Sequence, residues 1–327
     1  MDVSIIVPTR NRLWSLPRAI ESCASASISV EVIVIDDGST DGTAEWLLQH
    51  PELVVLDGEG WGKPWGVTRA LAIATGTYVR FLDSDDWLKP KANEQQFAIA
   101  ERQNADVVVA GYDIFRNEQF VESHPWIECD DFVAQQLGEV PASHYSAFLF
   151  RRSFISGIPH RTLFPASDFA SHDDLCMVLE VALRKPRIAI SPSPTLCFRH
   201  HCKERLQFRP GLRGTGTHIQ HLCIYRHILS LLESRSELTE RRKRAAIKVL
   251  WPLAHWIAHS HLTDAGELVD WIYELDPRFE APEDGILGFL YRRLGFRKTE
   301  RLLHLRRVVT DTRRLIRRSW NFASGIS

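Results

Sequence analysis

The sequence lacks a large net charge, a cysteine pattern and a long apolar run, and each absence excludes a class of protein. Its 327 residues carry 40 Lys or Arg against 41 Asp or Glu, a balance that does not favour nucleic acid as a partner. Its six cysteines include no CxxC pair, so neither a disulfide framework nor a zinc site is indicated, and reduced thiols in a cytosolic protein are expected. No apolar run approaches the roughly eighteen residues of a membrane span, and Met1 and Asp2 lead directly into an apolar segment without a secretory signal.

Several common enzyme motifs are also missing. Residues 58–63, GEGWGK, superficially match a phosphate-binding P-loop, but Asp57 stands where the motif needs its first glycine and Pro64 replaces its Ser or Thr. The same glycines do not match a dinucleotide fingerprint, because their spacing is GxGxG and they follow the third predicted strand. Neither GxSxG nor HExxH occurs. The sequence therefore does not support a P-loop NTPase, a dehydrogenase, a serine hydrolase or a zinc protease.

The first 110 residues alternate short apolar runs with helical patterns. The runs predict strands at 3–7, 32–35, 53–56, 78–82 and 107–110. Helical stretches between them favour right-handed crossovers and a mainly parallel sheet covered on both faces, an α/β fold class. Further along, the patterns predict a loop or hairpin tip at 115–119, a strand at 146–150 and a helix at 173–183. Helices are also predicted at 218–233, 239–259 and 264–275.

The end of the chain is basic. Residues 286–327 carry a net charge of +9, and the remainder of the chain about −10. Leu302, Leu305, Val309, Ile316 and Trp320 share one face of a predicted helix among many arginines. Such a helix either lies on an anionic membrane surface or packs its apolar stripe on the protein and leaves its arginines in water.

An acidic cluster follows the fourth predicted strand. Asp83, Asp85 and Asp86 come directly after the strand, at the edge where open α/β sheets bind ligands. Crowded carboxylates repel one another unless a hard cation lies between them, so a divalent metal that holds a phosphate is predicted. The alternative is a loop in which Asp83 turns the chain and Asp85 or Asp86 caps a helix that starts near Trp87.

Four segments together closely resemble family 2 glycosyltransferases. They are VSIIVPTRNR at 3–12, VIVIDDGSTDGT at 32–43, GVTRA at 66–70 and TGTYVRFLDSDD at 75–86, in the family's order and spacing. The resemblance is strong over residues 1–110, weaker to about 205 and absent beyond. It implies a GT-A fold, a nucleoside-diphosphate sugar as donor, Mn or Mg as cofactor, and inversion at the anomeric carbon.

The resemblance also implies a division of the chain. Residues 1–212 are expected to form the GT-A domain, with 1–110 binding the nucleotide sugar and 111–212 on the acceptor side. A helical region is expected over 213–327, because Pro210, Gly211, Gly214 and Gly216 cluster at the boundary.

The donor site is expected at the ends of the first two strands. The resemblance implies nucleotide-sugar contacts for Pro8, Thr9 and Arg10, and a carboxylate such as that of Asp37 can accept the N3–H of uracil or thymine. It places Arg69 against the nucleotide or its diphosphate, a role that suits a fixed cation; the alternative is an arginine on a helix surface.

The acidic loop and the acceptor side complete the set that the resemblance implies. Asp83 and Ser84 are assigned to the donor and Asp85 to the metal, while Asp86 is left as an extra acid that caps a helix. FRHHC at 198–202 resembles the family's aromatic-Arg-x-His segment, which makes His201 a contact of the metal or diphosphate. The alternatives for His201 are a structural role or a small zinc site.

The base that removes the acceptor's proton is assigned to Asp174. Asp173 and Asp174 resemble the family's Glu-Asp pair, with Asp173 in the Glu place and Asp174 in the position of the base. The alternative is that both acids merely stabilise the start of a helix.

The predicted function is metal-dependent, inverting transfer of a sugar, expected from UDP, to a hydroxyl of a glycan or lipid-linked acceptor in cell-surface polysaccharide or lipopolysaccharide synthesis. The expected location is cytoplasmic or peripheral on the cytosolic face of a membrane. One alternative is a sugar-phosphate nucleotidyltransferase, although the glycine-rich loop of that class is missing after the first strand. The other is a degenerate scaffold that only binds nucleotide sugars, which the intact acids at 37, 83, 85 and 174 disfavour.

Overall fold

The structure is a computed structural model that describes residues 1–158, 160, 172–201 and 212–304. Its strands are β1 (Val3–Thr9), β2 (Val30–Asp36), β3 (Val54–Asp57), β4 (Tyr78–Phe81), β5 (Trp87–Leu88), β6 (Val107–Val109), β7 (Tyr112–Arg116), β8 (Gln119–His124), β9 (Leu149–Arg151), β10 (Ile188–Ile190) and β11 (Leu196–His200). Its helices are α1 (Leu16–Glu21), α2 (Thr43–Leu47), α3 (Lys63–Ile73), α4 (Ala92–Gln103), α5 (Phe132–Ala134), α6 (Arg152–Ile155), α7 (Asp173–Leu183), α8 (Leu212–Ser234), α9 (Glu240–Ala258), α10 (Leu262–Leu275) and α11 (Gly285–Leu294). A π turn (Gln135–Glu139) continues α5, and a 3-10 turn (Tyr145–Ala147) precedes β9.

The larger sheet is mainly parallel, as predicted. Within the described residues its order is β10-β6-β9-β4-β1-β2-β3, and only β9 runs antiparallel to its neighbours. Val3, Ile5, Ile6 and Val7 are all fully buried, because helices cover both faces and a strand in such a sheet has no solvent side. Since β1 lies between β2 and β4, the carboxyl ends of all three open at the same edge.

A second, smaller sheet was not predicted. Its order is β5-β11-β7-β8, and it places the segment after β4 against β11, the strand that directly precedes His201. The turn between β7 and β8, where Asn117 and Glu118 adopt positive φ, is the hairpin tip that was predicted at 115–119.

The prediction of a helix that starts near Trp87 is wrong. The backbone of Trp87 and Leu88 pairs with Cys197 and Leu196 of β11, so β5 is a strand and Asp86 caps no helix there. The next helix, α4, begins only at Ala92.

The predicted strand at 146–150 is shifted and shortened. Its first residues form the 3-10 turn, where the Ser146 carbonyl accepts a hydrogen bond from Arg80 and the Ala147 carbonyl accepts one from Gln96. These carbonyls satisfy buried side chains, and the strand begins only at Leu149.

From residue 212 to residue 304 the chain is mainly helical as predicted, and α8, α9 and α10 agree with the predicted helices to within a few residues at most of their ends. They share a core that also includes Cys176 and Leu179 of α7. The predicted division of the chain near 212 remains a prediction, and the predicted amphipathic tail beyond residue 304 lies outside the described residues. Among the helices described, none combines the length and apolar character needed to cross a bilayer.

Candidate active site

The loops that follow β1 and β2 are joined to each other by hydrogen bonds. The backbone N–H of Asp37 donates to the Thr9 carbonyl at 2.9 Å, and Pro8 and Thr9 lie opposite Ile35 and Asp36 in the ladder. The side-chain oxygen of Asn11 accepts from the backbone N–H of Thr40 at 2.7 Å. The ends of the two strands therefore lie side by side at one edge of the sheet, and the crevice predicted there for the nucleotide stays a prediction.

Asp37 is half-buried at this edge of the sheet. Its Oδ1 accepts a hydrogen bond from the backbone N–H of Gly62 at 3.1 Å, and its Oδ2 lies 3.8 Å from Nη1 of Arg10. Burial raises the pKa of Asp37, and the hydrogen bond from Gly62 and the positive charge of Arg10 offset only part of that rise. Gly58 touches Asp37 so closely that a Cβ at residue 58 would lie 2.8 Å from the Asp37 Cα.

Arg69 lies on α3 and contacts the end of β3 rather than Asp37. Its Nη1 donates to the Asp57 carbonyl at 3.0 Å, and its guanidinium lies 4.3 Å from the centre of the Trp65 ring. Its side chain is 42% exposed, so the cation remains available to a ligand at this edge. The predicted contact of Arg69 with the nucleotide stays a prediction.

The acidic loop after β4 contains the first of two candidate sets of metal ligands. Asp83 pairs with Nζ of Lys63 at 2.9 Å and lies 3.7 Å from Nε2 of His144. Asp83, Asp86 and His144 each offer one ligand atom within 4.8 Å of the other two. Among the described residues, no other three His, Cys, Asp or Glu side chains come together in this way. Burial lowers the pKa of His144, and the carboxylates of Asp83 and Asp174 offset only part of that effect. A neutral imidazole beside two carboxylates suits a cation such as Mn.

The second set contains the predicted metal ligands Asp85 and His201. Their Oδ2 and Nε2 atoms lie 2.9 Å apart, and Nε of Arg12 lies 3.8 Å from the same carboxylate oxygen. The structure brings these two predicted metal ligands together, although they are 116 positions apart in the sequence, and metal binding itself stays a prediction. Ser84 is buried, and its carbonyl accepts a hydrogen bond from the Ser15 hydroxyl at 2.8 Å, which joins the acidic loop to the start of α1.

Asp86 has a structural contact that the sequence did not indicate. Its Oδ1 accepts a hydrogen bond from the backbone N–H of Arg199 at 2.8 Å, and the side chain is almost completely buried. This hydrogen bond joins the acidic loop to β11 at Arg199, two residues before His201.

Asp173 and Asp174 are the first two residues of α7, and both lie close enough to Lys63 to affect its pKa. Asp173 is 4% exposed, and its Oδ2 lies 3.1 Å from Nδ1 of the buried His160. Burial alone would raise the pKa of Asp173, but Lys63 and His160 hold it well below its usual range. Asp174 is only half-buried and lies close enough to His144 and Lys63 to affect the pKa of each. Asp174 is therefore the member of the pair that an acceptor hydroxyl can reach.

Lys63, His144 and His160 are the site residues that sequence reasoning missed. Lys63 belonged to the discarded P-loop match, and its place after Gly62 at the start of α3 was the one local signal of a functional lysine. His144 and His160 lie in irregular segments without a motif, and their partners are distant in sequence.

Comparison with known proteins supports the family resemblance of the sheet region. Residues 4–158 match the family described as Glycosyl transferase family 2. This part of the chain is a family 2 glycosyltransferase domain. The chain is 24% identical to EpsH of Bacillus subtilis (strain 168) over 261 residues, which are 74% of this chain and 72% of EpsH. It is 31% identical to the succinoglycan biosynthesis protein ExoO of Rhizobium meliloti (strain 1021) over 121 residues, 35% of this chain and 34% of ExoO.

A solved structure shares the fold of this chain. Residues 1–349 of S. aureus TarS, in complex with UDP-GlcNAc, superimpose with a TM-score of 0.53 at 18% identity, and the match covers 93% of this chain and 90% of that TarS fragment. The predicted GT-A type fold is confirmed, and the likeness extends over the helical region as well as the sheet.

Proposed function

We propose that this glycosyltransferase moves a sugar from a UDP-sugar to a hydroxyl of a glycan or lipid-linked acceptor, with inversion at the anomeric carbon. The observation that carries the proposal is the arrangement around Lys63, which lies between the acidic loop and the two acids that open α7. A donor diphosphate near the loop and an acceptor near Asp174 would then meet at one point.

The donor is assigned to uridine on the chemistry of Asp37. An ionised carboxylate accepts the N3–H of uracil, whereas cytosine has no proton at that nitrogen. Arg10 and Arg69 add positive charge at the same edge, which suits a diphosphate. TarS, which has this fold, was solved with UDP-GlcNAc, and its ligand makes a UDP-sugar the first donor to test.

The acidic loop is proposed to hold Mn or Mg. The donor atoms are carboxylate oxygens and neutral imidazole nitrogens, supplied by Asp83, Asp86 and His144 or by Asp85 and His201. A divalent cation at this loop would neutralise the charge that develops on the leaving diphosphate.

The residues of the chain supply the other parts of the transfer. The hydroxyl oxygen of the acceptor attacks the anomeric carbon of the sugar from the face opposite the diphosphate, and Asp174 accepts the proton of that hydroxyl. The bond between the anomeric carbon and the diphosphate breaks as the new bond forms, so one displacement releases UDP and inverts the configuration. Asp173, held by His160, positions the start of α7 and with it Asp174. Lys63 places a partly buried positive charge beside Asp83, where the diphosphate would lie.

The acceptor class is proposed from less direct features. ExoO is named as a succinoglycan biosynthesis protein, which suits a glycan acceptor. The basic residues at 286–327 suit an anionic membrane surface on which a lipid-linked acceptor would lie. Flotation with anionic liposomes measures whether the protein binds such a surface. The nucleotidyltransferase alternative loses support from the family match, and an assay of sugar transfer distinguishes an active enzyme from a scaffold.

A thermal-shift screen with UDP, dTDP, GDP and CMP, each with and without Mn, tests the donor. We expect UDP with Mn to raise the melting temperature most, by several degrees, because a ligand at a hundred times its Kd stabilises the folded state by about 2.7 kcal/mol. Asp37→Asn is expected to remove most of the shift. A larger shift with GDP, or an unchanged shift in Asp37→Asn, would contradict the assignment of uracil to this carboxylate.

The two candidate sets of metal ligands are distinguished by one histidine each. If Asp83, Asp86 and His144 bind the cation, His144→Ala is expected to weaken Mn binding at least about tenfold while His201→Ala has little effect. Titration with Mn followed by electron paramagnetic resonance measures this without any turnover. The reverse result would assign the cation to Asp85 and His201, and equal binding in wild type and both variants would remove the acidic loop from metal binding.

A further inference from the structure

We propose that Trp61, supported by Trp65, forms a platform on which the uracil ring of the donor stacks. This deepens the proposed function and rests on its claim that the donor is a uridine nucleotide. The two residues belong to the loop and first helical turn after β3, a part of the chain to which sequence analysis assigned no functional role.

The platform is ordered although it is exposed. The Trp61 side chain is 65% exposed, yet its ring stacks on that of Trp65 with centroids 4.9 Å apart and planes inclined by 30°. The guanidinium of Arg69 lies over the Trp65 ring and holds it in place through a cation–π contact. A single exposed tryptophan is common on protein surfaces. One that is stacked on a second, fixed tryptophan presents a flat apolar face in a defined position.

Backbone contacts join this platform to the carboxylate that is proposed to read the base. The N–H of Trp61 donates to the Gly58 carbonyl at 3.0 Å, which closes the loop into a turn. The next residue, Gly62, donates its N–H to Oδ1 of Asp37, and Gly58 touches the Asp37 backbone. Trp61 therefore directly precedes the residue whose N–H bonds to Asp37. From this position its ring would cover one face of a pyrimidine whose edge is bonded to Asp37.

No aromatic residue directly follows Thr9 at the end of β1. Arg10 and Asn11 follow Thr9 there, and the side chain of Asn11 bonds to the loop after β2. Base stacking on an aromatic ring is worth enough that its removal weakens binding by about tenfold or more. The same flat surface could stack on a sugar ring of the acceptor, but its hydrogen-bonded connection to Asp37 favours the base.

Isothermal titration with UDP and with inorganic pyrophosphate, in the presence of Mn, tests the platform. We expect Trp61→Ala to weaken UDP binding about tenfold and to leave pyrophosphate binding unchanged, because only UDP carries a base. Trp61→Phe is expected to retain most of the affinity. Trp256→Ala is the matched control, since Trp256 is 56% exposed, lies on α9 and stacks on His218, and it should bind both ligands like the wild type.

The outcomes separate this inference from the proposed function. Wild-type binding of UDP together with equal affinity in Trp61→Ala would overturn the platform and leave the proposed function standing. Equal UDP affinity with a raised KM for the acceptor would also overturn it and assign the surface to the acceptor sugar. A wild-type protein that binds no uridine nucleotide would overturn the proposed function, and the inference with it.

Discussion

Asp174→Asn is expected to lower kcat about a thousandfold while UDP binds with unchanged affinity. An amide cannot accept the proton of the attacking hydroxyl, and general base catalysis contributes about 10² to 10⁴ in rate. The substitution keeps the size of the side chain, and Asp174 is half-buried at the start of α7, so the fold should not change. Transfer from a labelled UDP-sugar, measured beside calorimetric titration with UDP, separates the loss of chemistry from any loss of binding.

Glu180→Gln provides the control for Asp174→Asn. It makes the same charge change on the same helix, α7, about two turns from Asp174, and we expect activity within about threefold of wild type. Activity of Asp174→Asn within the same range would contradict the assignment of the base. Loss of UDP binding in Asp174→Asn would instead place this carboxylate in the donor site.

The fold was largely predictable because its signals are local. The apolar runs of β1, β2, β4 and β6 lie within single stretches of sequence, and a fully buried parallel strand needs little else to be recognised. The acids that follow such strands must lie at one edge of the sheet, and this is why the positions of Asp37 and the acidic loop could be predicted together.

The errors arose where distant parts of the chain decide the local structure. Trp87 and Leu88 read as the start of a helix, but pairing with β11 makes them a strand, and that pairing joins residues more than a hundred positions apart. His144 is a similar case, because no motif surrounds it and only the tertiary fold brings it to Asp83. A single sequence contains no signal for either contact.

Lys63 shows most directly what the sequence concealed. Its segment does not match the P-loop pattern, which excluded a P-loop NTPase. Lys63 was therefore left out of the predicted site. In the structure Lys63 bonds to Asp83 at 2.9 Å and lies 5.2 Å from the centre of the Tyr145 ring, with Asp173 and Asp174 close enough to affect its pKa. Burial alone would lower the pKa of Lys63, but these acids raise it well above the ordinary value. The lysine is therefore charged and balances acids on both sides of the site.

Lys63→Met is expected to lower the free energy of unfolding at neutral pH by about 3 kcal/mol, the lower end of the range for breaking a buried ion pair. The Lys63 side chain is 17% exposed and that of Asp83 is 25% exposed, so solvent screens the pair in part. The cause is the uncompensated charge left on the acids around Lys63, and urea unfolding measures it. UDP affinity should fall as well, because the same change removes a cation from the proposed diphosphate site.

Lys185→Met is the matched control for Lys63→Met, and acid pH provides a second check. Lys185 pairs with Glu237 and its side chain is 68% exposed, so its loss should cost no more than about 1 kcal/mol. The depressed pKa of Asp173 stabilises the wild type above the unfolded Asp pKa of about 3.9, and this contribution is lost as the pH falls toward the native value. Without Lys63 the pKa of Asp173 rises, so the stability difference between wild type and Lys63→Met should narrow below about pH 4. Equal stability of the two proteins at neutral pH would mean that the acids around Lys63 are compensated by other groups, and Lys63 would then be left with a role in donor binding alone.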